Sequence, residues 1–99
     1  MQIVKTRDDM VKSKDEGRHA QTIKLAEELI QLYEAESLKP LLAEAYETLA
    51  TAYFSLGHLQ DAETHAALAV NRWIQYRGAD SEQADQARIL LHRIQKWRV

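Results

Sequence analysis

The chain of 99 residues has no cysteine, one proline and three glycines. Without cysteine there is neither a disulfide framework nor a thiolate metal site, which fits a reducing interior, so a cytoplasmic or nuclear location is expected. Long apolar runs are missing as well. Nothing approaches the roughly 20 residues that cross a bilayer, and the opening "MQIVKTRDDMVKSK" lacks the continuous apolar core of a secretory signal. Nor is there a field of one sign: Lys+Arg 13 stand against Asp+Glu 15, a formal net charge of -2. Bulk attraction to nucleic acid or to an anionic membrane is therefore not indicated. What is present, 45% hydrophobic and 28% charged residues, is the composition of a folded domain rather than of a disordered tail. At this length one modest core is expected, short of the size at which burial becomes comfortable.

Between the punctuating residues Gly17, Pro40, Gly57 and Gly78 the apolar positions recur at three- and four-residue steps. That spacing reads as all-α, a single domain over 1–99 with helices at about 2–15, 18–35, 39–55, 59–77 and 81–97. The first helix has only a thin stripe, Ile3, Val4, Met10 and Val11. In the second, Ile23, Ala26, Leu29, Ile30 and Tyr33 share one face. Ser37 is suited to cap the third helix, and Pro40 is tolerated in its first turn, where the missing N–H has no intrahelical partner. The third helix shows a broad face of Leu42, Ala45, Tyr46, Leu49, Ala52, Tyr53 and Leu56, and Gly57 ends it. The fourth is apolar nearly all round: Leu59, Ala62, Ala66, Ala69, Val70, Trp73 and Ile74, with Ala67 and Leu68 on a second side. Such a helix must be covered twice. Asp80 and Gln83 have the spacing of a capping box for the fifth helix. Its stripe is Ala84, Ala87, Leu91 and Ile94, with Leu90 and Trp97 beside it.

Two antiparallel helices joined by a minimal turn approach closely only if one is lined by small side chains. Ala62, Ala66 and Ala69 supply that lining, and Tyr46, Leu49 and Tyr53 fill the space opposite. Tyr46, Leu49, Ala50, Tyr53, Gly57, Ala62 and Ala69 together resemble the signature of the tetratricopeptide repeat, in register over residues 46–69. The resemblance implies antiparallel hairpins stacked in a right-handed solenoid, here two hairpins plus a fifth, capping helix. Two positions depart from the pattern. Ala66 stands where Phe or Tyr is usual, and no proline ends the second helix, which runs on to "WIQYRG" and lengthens the repeat beyond the usual ~34 residues. Stepping back about 43 residues places Ala26 under Ala69; stepping forward about 41 places Ala87, Leu90, Leu91 and Ile94 under Tyr46, Leu49, Ala50 and Tyr53. The ending "YRGADS" also resembles the long-repeat C-terminal region of SET and MYND domain lysine methyltransferases and related fungal SET proteins. That resemblance implies a piece of a larger enzyme, an accessory region shaping substrate access, with none of the SET catalytic motifs in the chain itself.

No catalytic, metal or cofactor site is expected within these residues. His19, His58, His65 and His92 are scattered without metal-ligand spacing, and the pairs Asp8/Asp9, Asp15/Glu16 and Glu27/Glu28 diverge around a helix axis. No HExxH, P-loop or nucleophile elbow occurs. The resemblance implies a protein or peptide partner in a groove lined by the first helix of each hairpin, with candidates Glu44, Glu47, Thr51 and Phe54, and Asp85, Arg88 and His92 in the fifth helix. Acidic central positions argue against a carboxylate-gripping clamp and for a basic or mixed peptide. Leu90, Leu91 and Trp97 are candidates for contact with a second copy or with a further domain. The basic end, Arg88, Arg93, Lys96 and Arg98, raises contact with nucleic acid or a membrane surface, against which the low overall charge argues.

Overall fold

Three near-identical turns set the architecture. After the helix that ends at Ser55, Gly57 takes φ 79°, its N–H donates to the Phe54 carbonyl at 3.0 Å, and the His58 N–H donates to the Tyr53 carbonyl at 2.9 Å. This is the Schellman arrangement that satisfies the last carbonyls of a helix. No atom lies within 4 Å of where a Cβ would stand on Gly57, so the need for glycine there is one of backbone conformation alone. The same bonds recur around Gly17, where Arg18 N–H reaches Ser13 O at 2.9 Å, and around Ser37, where Leu38 N–H reaches Tyr33 O at 2.9 Å. Turns this short oblige successive helices to run antiparallel.

The computed structural model describes residues 2–97, and these form five helices: α1 (Gln2–Asp15), α2 (His19–Ala35), α3 (Lys39–Ser55), α4 (Leu59–Arg77) and α5 (Glu82–Trp97). No strand occurs among the described residues. Each helix packs chiefly on its neighbours in the chain. The radius of gyration is 12.9 Å, with extents of 40 × 30 × 18 Å, about the radius of an ordinary domain of this length.

The buried positions repeat. In α2 they are Thr22, Ala26, Leu29, Ile30 and Tyr33, and in α4 Ala62, Ala66, Ala69, Val70 and Trp73, each pair 40 residues apart. The step is thus 40 rather than 43, and Ala26 corresponds to Ala66. A polar residue hides the register: Thr22 is 1% exposed and survives there because its hydroxyl donates to the Arg18 carbonyl at 3.0 Å. The other three helices share a second register, Ile3, Thr6, Met10 and Ser13 in α1, then Ala43, Tyr46, Ala50 and Tyr53 in α3, then Ala84, Ala87, Leu91 and Ile94 in α5. From α3 to α5 the step is 41, as the sequence pattern indicates.

α3 lies at the centre. One apolar cluster joins it to α1 and α2 through Met10, Ala26, Leu29, Tyr33 and Leu49; two more join it to α4 and α5, around Trp73 and around Ile94. Tyr46 packs against the first and second of these clusters and Tyr53 against the first and third. Ala62, Ala66 and Ala69 are wholly buried, so α4 is covered on two sides as its all-round apolarity requires. Each fully buried side chain the size of Leu29, Leu49 or Ile94 contributes roughly 1.5–3 kcal/mol.

Two caps differ from expectation. Ser37 does not cap α3; at φ 56° it is the left-handed residue ending α2, and the N-cap is Leu38 with no side-chain bond. Ser37 is taken up by the left-handed position, so the residue at the N-cap is Leu38, whose side chain has no acceptor. At α5 the cap is Ser81 and not Asp80: the Ala84 N–H donates to Ser81 Oγ at 3.1 Å, and that hydroxyl donates to the Gly78 carbonyl at 2.8 Å.

Candidate binding groove

α3 is flanked by two clefts of like construction. The first, about 280 Å³, lies between α1 and α3; Arg7, Val11 and Lys14 form one wall, Glu44, Thr48 and Thr51 the other, and Tyr33 of α2 the floor. The second, about 440 Å³, lies between α3 and α5; Leu41, Glu44 and Glu47 face Gln83 and Gln86 across Trp73 of α4, with Arg77 at one end. Glu47 also borders the first cleft. The two floors, Tyr33 and Trp73, are equivalent at the 40-residue step. They are buried, at 2% and 5% exposure.

Each floor faces one charged residue of the helix in front of it, at the same spacing. Arg7 of α1 stands close enough to the Tyr33 hydroxyl for its charge to act on it, and the Trp73 indole N–H donates to Glu47 Oε1 of α3. Both pairs span 26 residues, so Arg7 and Glu47 are equivalent positions of opposite charge. The protein places a cation at the first floor and a carboxylate at the second.

Glu47 is half-buried, and its pKa is raised above the ordinary carboxylate value. Burial is the main cause; Glu44, one turn away, adds to it, while the Trp73 bond and the charge of Lys14 oppose it. Tyr33 is raised as well, first by burial, with Arg7 opposing and Glu44 adding. Arg7, Lys14, Glu44 and Glu47 form no ion pair with one another among the described residues. The pairs found there are Arg18 with Glu16 at 3.4 Å and Arg88 with Asp85 at 2.8 Å. The threonine hydroxyls are turned inward: Thr48 donates to the Glu44 carbonyl at 3.1 Å and Thr51 to the Glu47 carbonyl at 3.0 Å. Glu44 and Glu47 are the carboxylates that α3 contributes to both clefts, with Thr48 and Thr51 beside them in the first.

Of the groove candidates, Glu44, Glu47 and Thr51 come together at these clefts. Phe54 is half-buried against the cluster of Ala50, Ala62, Ala66 and Ile94. In α5, Arg88 is paired with Asp85 on the helix surface and His92 is exposed; Gln83 and Gln86 are the residues of that helix that reach the second cleft. Leu90 and Leu91 pack against the cluster around Ile94, whereas Trp97 is 69% exposed. Arg98 lies outside the described residues. Sequence reasoning missed Arg7, Lys14, Tyr33, Trp73, Gln83 and Gln86 as cleft residues; the 40-residue step from Tyr33 to Trp73 is the signal that finds the two floors.

His65 has structural partners. Its ring stacks on Tyr53 at 5.3 Å between centroids and lies 6.3 Å from Tyr46, and its Nδ1 donates to the Asp61 carbonyl at 2.8 Å. Among the described residues no group of three or more His, Asp or Glu side chains is placed to hold a metal ion, and no helix is long and apolar enough to cross a membrane. Compared with protein-family models, curated proteins and solved structures, the chain finds no match.

Proposed function

We propose that the chain is a protein-interaction module of the tetratricopeptide-like type, whose two clefts take successive stretches of one extended peptide across α3. The observation that carries this reading is the pair of equivalent clefts, with floors Tyr33 and Trp73, that share the Glu44 and Glu47 wall. Concave, partly apolar clefts with a few fixed polar groups are the usual form of a binding site, and repeats that stack in one direction extend such a surface. The alanine-lined α4 between its two neighbours supports the solenoid reading. Charge sets the preference: the central wall is acidic, and cations stand beyond it, Arg7 and Lys14 on α1 and Arg77 at the far end. A segment with Lys or Arg at its middle and acidic residues toward its ends complements this order.

The test is a peptide array probed with the purified chain, followed by titration of the best segments. Enrichment of central basic residues is expected, with at least a tenfold loss of affinity, about 1.4 kcal/mol, on Glu44→Lys/Glu47→Lys. An array that shows no sequence preference, or selected segments whose affinity survives the double reversal, would overturn the reading.

A further inference from the structure

A third cavity, also about 280 Å³, opens where the α2–α3 turn meets the C-terminal half of α4. It shares Tyr33 with the first cleft but none of the acidic wall, and nothing in the peptide-binding reading uses it. Two cations line it, Lys39 and Arg72, against one carboxylate, Glu34. Neither cation is in an ion pair among the described residues. Their neighbours are rings, Tyr46 under the Arg72 guanidinium and Tyr76 under the Lys39 ammonium, each at 6.0 Å, the outer reach of a cation–π contact. Arg72 Nε is buried with no hydrogen-bond partner. A guanidinium cannot shed its proton to escape that situation, so this edge of Arg72 is left unsatisfied by the protein, while the residue itself lines the cavity.

From this arrangement we infer that the cavity is a binding site for a small organic acid, a single carboxylate on an apolar or aromatic body. Two cations against Glu34 leave one positive charge, which one carboxylate neutralises. Arg72 offers a donor fork that matches a carboxylate edge, Lys39 a point charge, and Gln75 a neutral amide. The body of the ligand lies against Tyr76, Leu38 and Leu42, and Ser37 completes the wall. Glu34, exposed on the rim, competes for the same cations.

The experiment uses the full chain, 15N-labelled, with the arginine Nε–Hε and backbone amide signals followed as benzoate is added. A saturable shift of the Arg72 signal is expected, with Kd near or below about 1 mM, and at least tenfold weaker effects from benzamide, which lacks the charge, and from acetate, which lacks the body. Arg18 and Arg88, already paired, serve as internal controls and stay put. Lys39→Gln weakens binding about tenfold, and Glu34→Gln tightens it severalfold by removing the competitor. Both side chains are exposed, so neither substitution puts the fold at risk. Equal response to benzamide, shifts that rise without saturating, or affinity unchanged by both variants would overturn the site. Because Glu44 and Glu47 line neither wall, a failure here leaves the peptide groove standing, and the converse holds.

Discussion

Ala66 is the position at which the packing account is most exposed to refutation. It is wholly buried in one cluster with Ala50, Ala62 and Ile94, all at 0% exposure. Ala66→Leu adds three carbons where no space exists, which costs about 2–3 kcal/mol through forced rotamers and helix displacement. Ile94→Ala removes three carbons from the facing helix and costs about 2–5 kcal/mol. A domain of this length has roughly 5–15 kcal/mol in all, so the cycle is run at the temperature of maximum stability, where both single variants retain a folded baseline if the total exceeds about 5 kcal/mol. At about 4–8 °C for each kcal/mol, Ala66→Leu lowers Tm by about 8–24 °C. If α4 nests between α3 and α5 as described, the double variant restores the volume, and its loss falls short of the sum of the two by about 1–3 kcal/mol. Urea unfolding followed by circular dichroism gives all four corners of the cycle, with an unchanged m-value as the check that the transition stays two-state. Ala20→Leu, on the exposed side of α2, is the control and should move stability by no more than about 0.5 kcal/mol. Strict additivity of Ala66→Leu and Ile94→Ala, or an Ala66→Leu variant as stable as that control, would refute the nested arrangement.

Three further outcomes are expected. Glu47→Gln keeps an acceptor for the Trp73 indole and removes the half-buried charge. Because the folded pKa of Glu47 is raised above the ordinary 4.5, the folded state holds that proton more tightly than the unfolded one, so the wild type loses stability as pH rises through this window and the variant does not. The Tm advantage of Glu47→Gln should therefore vanish near pH 4 and be full at pH 7; a gap independent of pH would show that the carboxylate is not buried as described. Ser37→Gly should raise stability by about 0.5–1 kcal/mol, since Ser37 sits at φ 56°, while Gly57→Ala should cost about 1 kcal/mol. If thermal melts rank these two the other way, the shared turn geometry is wrong.

The five helices were legible because so little interrupts them: glycines at 17, 57 and 78 and an uninterrupted 3.6-residue rhythm between. Of the thin stripe expected in α1, Met10 enters the core and Ile3 packs against it, but Val4 and Val11 are exposed; the buried face runs instead through Thr6 and Ser13, which look polar in sequence. The pairing of Ala62, Ala66 and Ala69 with the tyrosines of α3 was legible too, from side-chain size alone. The internal repeat was blurred by Thr22, whose hydroxyl satisfies its own helix, and by Ser37, which performs a glycine's task. The clefts were half-visible. Glu44, Glu47 and Thr51 follow from helical phase on α3, but Arg7 and the floors Tyr33 and Trp73 depend on how helices 26 residues apart come to face each other, which periodicity within one helix does not encode. Phe54 has the right phase for the groove and turns toward Ile94 instead, because α5 lies close enough to cover it.

The contact between Trp73 and Glu47 joins the core to the groove, and the two indole N–H signals of the chain report on it directly. Trp73 is buried and bonded to a carboxylate, whereas Trp97 is 69% exposed. In a nitrogen-15 spectrum the Trp73 indole proton should outlast that of Trp97 in deuterium oxide by orders of magnitude. It should also shift with a midpoint above 4.5 as Glu47 ionises, a titration that Glu47→Gln abolishes. Two indole protons that exchange at similar rates, with neither following the titration, would contradict the placement of α3 against α4 and with it the clefts on either side.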